Sequence, residues 1–94
     1  MKIKEHSWRA RIAAMVLKSP GVAIVFGSTI HLHGVSATQF LMDERWLKHE
    51  LKHIEQYQKE GYLGFLVKYL WESIRHGYYN NRFEVEAREA ESAA

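Results

Sequence analysis

The alternation of apolar and polar positions divides the chain into helical and extended segments. Near the start, Trp8, Ile12 and Met15 recur at helical spacing, with cationic residues between them. Ser7 stands where the N-cap of a helix is expected, because its hydroxyl can accept a hydrogen bond from the first turn. The pattern therefore predicts a first helix from about Trp8 to Lys18.

Two β-prone runs follow, at 22–26 and 29–33, and the Gly-Ser dipeptide between them suits a two-residue hairpin turn. In the second run, Thr29, His31 and His33 alternate with apolar residues, so we expect one buried and one exposed face. His31 and His33 could form a second metal pair. Histidines on the exposed face of an edge strand, however, more often have no such role.

A longer helix is predicted from about Thr38 to Lys59, because an apolar stripe appears when successive residues are rotated by about 100°. We expect the stripe to pack into the protein and the opposite side to form the floor of a cleft. The stripe comprises Phe40, Leu47, Leu51 and Ile54, and the cleft side carries Trp46, His49, Glu50, His53 and Tyr57.

Two more helices are predicted in the last third of the chain. The segment from about Tyr62 to His76 is apolar almost all round, which indicates a central buried helix. A loop is expected at 77–81, and a Glu- and Ala-rich helix from Arg82 to about Ser92. Together these segments predict an α+β fold with a small sheet or hairpin.

Composition limits the classes of function. With 94 residues, 47 % of them hydrophobic, the chain has room for a single domain, 1–94. It has no cysteine, which excludes disulfides and thiolate metal sites, and its net charge of +2 is spread out and does not indicate nucleic-acid binding. The only candidate for a membrane span, 12–17, is too short, and no signal peptide is recognised. We therefore expect a soluble, cytoplasmic protein, whose oligomeric state the sequence leaves open.

Residues 49–53 read His-Glu-Leu-Lys-His and lie inside a predicted helix. Histidines four residues apart share one helical face, so His49 and His53 can reach one ion at about 2.0–2.1 Å. Glu50 lies beside them, where it can take a proton from a metal-bound water without being a ligand. The competing interpretation is a chance match on a solvated helix of an interaction module.

A hydrolytic zinc site needs a third protein ligand, and the last helix is its best source. Several acidic residues after His53 lie too close along the same helix to complete a tetrahedron. On the last helix, Glu84 and Glu86 flank the apolar side and are about 200° apart, so only one of them can face the histidines. Helical phase does not say which.

The HELKH segment, followed about thirty residues later by the segment FEVEA at 83–87, resembles the gluzincin metallopeptidases, and in size the minigluzincins. Over roughly 22–91, the resemblance implies a minimal zincin fold, with an active-site helix, a buried backing helix and a glutamate helix. It also implies hydrolysis of a peptide or protein substrate through a zinc-bound water activated by Glu50. The implied ligands of one Zn²⁺ per chain are His49, His53 and Glu84.

The resemblance has one departure and leaves a second function open. Many relatives carry an aspartate four residues after the glutamate ligand, to orient a zinc histidine, whereas this chain has Arg88, which could instead pair with Glu84. Tyr78 or Tyr79 could donate a hydrogen bond to an oxyanion. By the same resemblance, the strand with the two histidines borders the cleft and binds an extended peptide. The alternative function is a zinc-binding but inactive or latent relative with a scaffold role.

Overall fold

A computed structural model describes residues 1–93 of the chain. Within these residues the protein is a small α+β fold with five helices and a mixed three-stranded sheet. In chain order the elements are β1 (Lys2–Lys4), α1 (Trp8–Leu17), β2 (Val22–Phe26), β3 (Thr29–His33), α2 (Ala37–Met42), α3 (Glu44–Glu60), α4 (Tyr62–Asn80) and α5 (Arg82–Ala90).

The sheet has the order β1-β3-β2, with β3 in the centre. β2 and β3 form the predicted antiparallel hairpin, which pairs Phe26 with Thr29 across the turn. β1 was not predicted, and it pairs with β3 in parallel through Lys2, Ile3 and Lys4. The prediction that β3 is an edge strand is therefore wrong, because β1 occupies its outer side.

Helices cover both faces of the sheet, so the expectation of an exposed face is also wrong. α1 covers the face to which His31 points, and the Nδ1 atom of His31 lies 2.8 Å from the hydroxyl oxygen of Ser7. His31 is consequently buried. The other face, with Val25, Ile30 and Leu32, forms the main core with the helices that follow.

The apolar stripe from which α1 was predicted is not the side of the helix that contacts the sheet. α1 packs on β2 through the small residues Ala10 and Ala14, whose size allows a close approach to Val22. Ser7 is the N-cap, as expected, and accepts a hydrogen bond from the Ala10 N–H. The stripe itself is on the outer side of the helix.

The helix predicted over about 38–59 is two helices. At Asp43 the backbone leaves the helical region (φ −93°, ψ 94°), and the Asp43 carboxylate caps α3 by accepting from the Trp46 N–H at 3.1 Å. The expected packing of the stripe is only partly right. Ile54 is buried but Leu51 is 40 % exposed. The buried side of α3 includes the cleft-side residue Tyr57, because α4 and α5 pack against that side.

The expectation of a central buried helix is wrong for α4. Of its residues, Phe65 is buried, whereas large apolar side chains on its outer side are 61–73 % exposed. Gly77 (φ 80°, ψ 167°) interrupts α4 where the predicted loop begins, so the predicted break is confirmed, but residues 78–80 after it are helical again rather than a loop. α4 lies at the outside of the helical layer, so only one side of it contacts the core. The exposed group comprises Leu63, Val67, Leu70 and Ile74. None of the helices within residues 1–93 has the length and apolar character needed to cross a bilayer.

Candidate metal centre

Three side chains from α3 and α5 converge on one point. The Oε1 atom of Glu84 lies 3.0 Å from Nε2 of His49 and 3.2 Å from Nε2 of His53. One donor atom of each residue lies within 4.8 Å of the others, a spacing that could hold a metal ion. The structure thus brings together the three residues predicted as ligands.

The start of α5 is held in place by Asn81, which is fully buried. Its side-chain oxygen accepts from the Phe83 N–H, and its amide group donates to the carbonyl of Tyr69 and to Ser73 on α4. Phe83 packs into the core, and the next residue, Glu84, faces α3. These contacts determine which glutamate of α5 reaches the histidines.

Gln56 orients the imidazole of His53. The amide nitrogen of Gln56 donates to the carbonyl of Phe83 and to the carboxylate of Glu86, each at 3.0 Å. The amide oxygen of Gln56 must then face Nδ1 of His53, which it meets at 2.8 Å. Nδ1 therefore carries a proton and donates it, so that Nε2 is the nitrogen available to a metal. Glu86 supports this arrangement instead of facing the histidines.

Glu91 and Tyr69 complete the surroundings of the site, and sequence reasoning missed both roles. Oε2 of Glu91 accepts from Nδ1 of His49 at 2.7 Å, and the Tyr69 hydroxyl donates to Oε2 of Glu84 at 2.5 Å. Glu91 follows Glu84 by seven residues, or two helical turns, so the two side chains share one face of the helix. This spacing could have predicted that Glu91 also faces the histidines. A carboxylate that orients a metal-binding histidine is a common partner in zinc sites.

Arg88 does not pair with Glu84, so that hypothesis is wrong. Its guanidinium lies over the ring of Tyr79, 4.0 Å from the centroid, and donates to the carbonyl of the same residue. Tyr79 therefore packs against Arg88 on the surface. The carboxylate of Glu84 is left to the two histidines and to Tyr69.

The donor atoms fit zinc in type and spacing. Corners of a tetrahedron with bonds of about 2.0–2.1 Å are about 3.3 Å apart, close to the two Nε2–Oε1 distances observed. Two imidazole nitrogens and one carboxylate oxygen are a known ligand set of catalytic zinc sites, which keep a fourth position open. The protonated Nδ1 atoms of His49 and His53 leave both Nε2 atoms directed at Glu84.

The three converging side chains have strongly shifted pKa values. Burial acts to lower the pKa of His49, but the carboxylates of Glu84 and Glu91 outweigh it and raise this pKa to about 9. The pKa of His53 is also raised, since Glu84 overcomes the effect of burial. Burial acts to raise the pKa of Glu84, yet its hydrogen bonds from both histidines hold this pKa far below the usual range.

Glu50 is buried beside this group but is not one of the three residues that converge. Burial raises its pKa to about 7, against the opposing effects of His53 and His49. Glu50 lines both an open cleft of about 520 Å³, shared with His49, and a cavity of about 140 Å³, shared with His53. Its carboxyl group is therefore placed at the boundary between the histidines and the space open to a ligand.

β2, not β3, borders the cleft, which corrects the sequence-based expectation. Val22 and Ala23 line both spaces, as do Glu50 and Tyr78. Burial, followed by the charges of Glu84 and Glu50, raises the pKa of Tyr78 to about 12, so its phenol keeps its proton at neutral pH. The site thus has a hydrogen-bond donor in Tyr78, which lines the same cleft as Glu50.

The outer edge of β2 faces this cleft. Because Phe26 pairs with Thr29 across a two-residue turn, alternate residues of β2 direct their backbone groups away from β3. Val25 is one of them, and its carbonyl accepts from the Tyr57 hydroxyl at 3.0 Å. Ala23 is the next in this alternation, so its N–H and carbonyl face away from β3, and Ala23 lines the cleft.

Comparison of the chain with models of protein families, with curated proteins and with solved structures found no match.

Replacing Glu84 by alanine is expected to weaken zinc binding by about a hundredfold or more, because it removes one of the three side chains that converge on the predicted metal site. Glu86→Ala is the matched control, since Glu86 contacts the amide of Gln56 and should change affinity much less. The affinities can be compared by competition with a chelator. A large loss confined to Glu86→Ala would reverse the assignment.

Glu91→Ala is expected to weaken zinc binding about 10–100-fold, the usual effect of losing the partner that orients a metal-binding histidine. Glu89→Ala, which changes an exposed carboxylate on the same helix, serves as the control. Chelator competition again measures the effect. Equal affinities of the Glu91 and Glu89 variants would show that Glu91 does not orient His49.

Zinc should stabilise the protein more at pH 8.5 than at pH 6.5. The raised pKa of His49 means that the metal-free protein gains stability from protonated His49 below pH 6.5 and loses it as pH rises towards 9. Zinc must displace this proton, so its binding becomes stronger over the same range. Thermal unfolding with and without buffered zinc tests this, and a zinc-induced shift that shrinks with rising pH would contradict it.

Proposed function

We propose that this protein is a zinc-dependent metallopeptidase that hydrolyses peptide bonds in the cleft beside His49. The observation that carries the proposal is the convergence of His49, His53 and Glu84 next to the buried carboxylate of Glu50. The three converging residues would hold one zinc ion per chain. When bound, zinc would supply a Lewis acid that polarises a carbonyl and lowers the pKa of a coordinated water.

Glu50 would carry the proton in this reaction. A dication close by lowers the pKa of a carboxyl group, so Glu50 would be ionised at neutral pH and able to accept a proton from the attacking water. The same carboxylic acid would then give the proton to the nitrogen of the leaving amine. Because Glu50 is buried, few water molecules compete for this proton.

The substrate would be a peptide in extended conformation. Ala23 offers one N–H and one carbonyl at the edge of β2, so a peptide strand can pair with it across the cleft. Tyr78, with its protonated phenol, would donate a hydrogen bond to the oxygen on which negative charge develops. The apolar cavity beyond Glu50, lined in part by Val25 and Phe65, would accept an apolar side chain.

The proposal is tested by digesting a mixture of unfolded proteins with the zinc-loaded chain and identifying new termini by mass spectrometry. We expect cleavage products that disappear when zinc is removed with a chelator and return when zinc is restored. A chain that binds one zinc ion yet yields no such products would overturn the peptidase assignment and favour the inactive zinc-binding alternative.

A further inference from the structure

α1 presents a large apolar surface on the side opposite its contact with the sheet. Its buried contacts are made by Ala10 and Ala14, and helical rotation of about 100° per residue places the apolar surface about half a turn away. No part of residues 1–93 covers it. The exposed group, named here the α1 stripe, comprises Trp8, Ile12, Met15 and Val16, which are 52–74 % exposed.

Cations line both edges of the α1 stripe. In helical projection Arg9 lies about 20° beyond one edge and Arg11 about 40° beyond the other. Lys18 follows at the end of the helix, and α1 contains no acidic residue. An apolar centre with a cationic rim is complementary to the surface of an anionic membrane, which is apolar below its negatively charged headgroups.

The positive charge extends from α1 to the neighbouring strand. Lys2 and Lys4 on β1 pair with Thr29 and His31, and their side chains point to the same side of the sheet as α1. Arg9 and Lys4, together with burial as the largest cause, lower the pKa of His31. The cations are therefore close enough together to create a positive potential on this side.

Acidic residues lie mainly in the other part of the protein. Within residues 1–21 there are five lysines and arginines and one acid, Glu5. That carboxylate accepts a hydrogen bond from the Ala37 N–H at the start of α2. After residue 21 the chain carries ten acids and eight lysines and arginines. Positive charge is therefore concentrated on the side of the protein that carries α1.

A groove of about 440 Å³ runs between α1 and β2 and continues the apolar surface inward. Ile12, Val16 and Phe26 line it, and Arg9 lies at its margin, with its guanidinium 4.5 Å from the ring centroid of Trp8. A hydrocarbon chain fits such a groove, and a guanidinium at its margin suits the phosphate to which that chain is attached.

We propose that α1 binds this protein to the surface of an anionic phospholipid bilayer, with the α1 stripe in the interface and Arg9 and Arg11 against lipid phosphates. The charge distribution argues for lipid as the occupant. Within the described residues neither Arg9 nor Arg11 has an acidic partner, so a surface that is negative along both edges of the stripe and apolar between them is complementary to it. An anionic bilayer has this chemistry over its whole surface.

The test is flotation of the full chain with vesicles, either of phosphatidylcholine alone or of phosphatidylcholine mixed with phosphatidylglycerol. We expect binding to the mixed vesicles, at least tenfold weaker binding to the neutral ones, and loss of binding as salt is raised. Absence of binding to mixed vesicles at low salt, or equal binding to both kinds, would overturn the proposal.

Variants locate the binding surface. Met15→Ser combined with Val16→Ser changes two exposed side chains and should abolish flotation without altering the unfolding temperature. The matched control, Leu63→Ser with Val67→Ser, changes two similarly exposed apolar side chains on α4 and should bind like the wild type. Equal loss in the two pairs would overturn the assignment to α1.

Two further variants test the cations and the independence of the site. Arg9→Gln with Arg11→Gln should weaken binding to mixed vesicles about 25-fold, at about fivefold per arginine, and reduce its dependence on salt. Glu50→Gln should bind vesicles like the wild type, because membrane docking does not depend on the peptidase proposal.

Sedimentation of the protein without lipid tests whether a second copy of the chain covers α1 instead. A dimer that Met15→Ser and Val16→Ser convert to monomer, without vesicle binding, would show that a second copy covers α1.

Discussion

Replacing Glu50 by glutamine is expected to remove peptide hydrolysis and to leave zinc bound. The amide has nearly the shape of the carboxylate but cannot accept a proton at neutral pH. Proton transfer by a positioned side chain is worth about 10²–10⁴-fold in rate, so the loss should be at least of this order. Zinc should remain, because Glu50 is not among the three residues whose donor atoms converge.

The matched control is Glu55→Gln, an exposed glutamate on the same helix, which should retain full activity. Cleavage of a peptide identified in the digestion experiment measures the rate, and metal analysis measures the zinc content of each variant. Two results would contradict the assigned role. One is loss of zinc from Glu50→Gln comparable to that from a histidine variant, and the other is cleavage at the wild-type rate.

Replacing His49 or His53 by alanine is expected to reduce zinc affinity by more than a hundredfold. Changing a residue that only orients a ligand already weakens metal binding by about 10–100-fold, and loss of a ligand removes a bond directly. With two protein donors left of three, the site should not hold zinc at micromolar free concentration. Chelator competition measures the change.

His76→Ala supplies the control, since His76 is an exposed histidine outside the site and should not affect affinity. His53 is buried, so His53→Ala must also be shown to fold, by its unfolding transition without metal. The less buried His49 gives a second, milder test. Retention of wild-type affinity by both variants would show that HELKH is not a metal-binding segment.

The parts of the site that sequence reasoning predicted depend on local spacing. His49 and His53 share a helical face because they are four residues apart, whatever surrounds the helix. Their approach to Glu84 was expected only by resemblance, since helical phase allowed Glu86 equally well. In the structure, the contacts of Asn81 with α4 fix where α5 begins, and the amide of Gln56 donates a hydrogen bond to the carboxylate of Glu86. These are tertiary contacts that periodicity does not contain.

The errors in predicting the fold have a common physical origin. An apolar pattern along a helix does not show whether another element packs against that face. The stripe on α1 and the outer side of α4 have the periodicity of buried faces but are exposed, whereas Ala10 and Ala14 make the closest packing. β1 is only three residues long, too short to produce a recognisable alternation. Its pairing with β3 turned a predicted edge strand into a central one, whereas His31 is buried because α1 covers its face of the sheet.

The X-ray absorption spectrum of the protein with one equivalent of zinc would identify the ligands of the metal, because it reports the atoms bound to it. We expect two imidazole nitrogens at about 2.0–2.1 Å and oxygen ligands at about 2.0–2.2 Å, in a four-coordinate site. A spectrum without an imidazole contribution, or with three or more imidazoles, would contradict a centre formed by His49, His53 and Glu84.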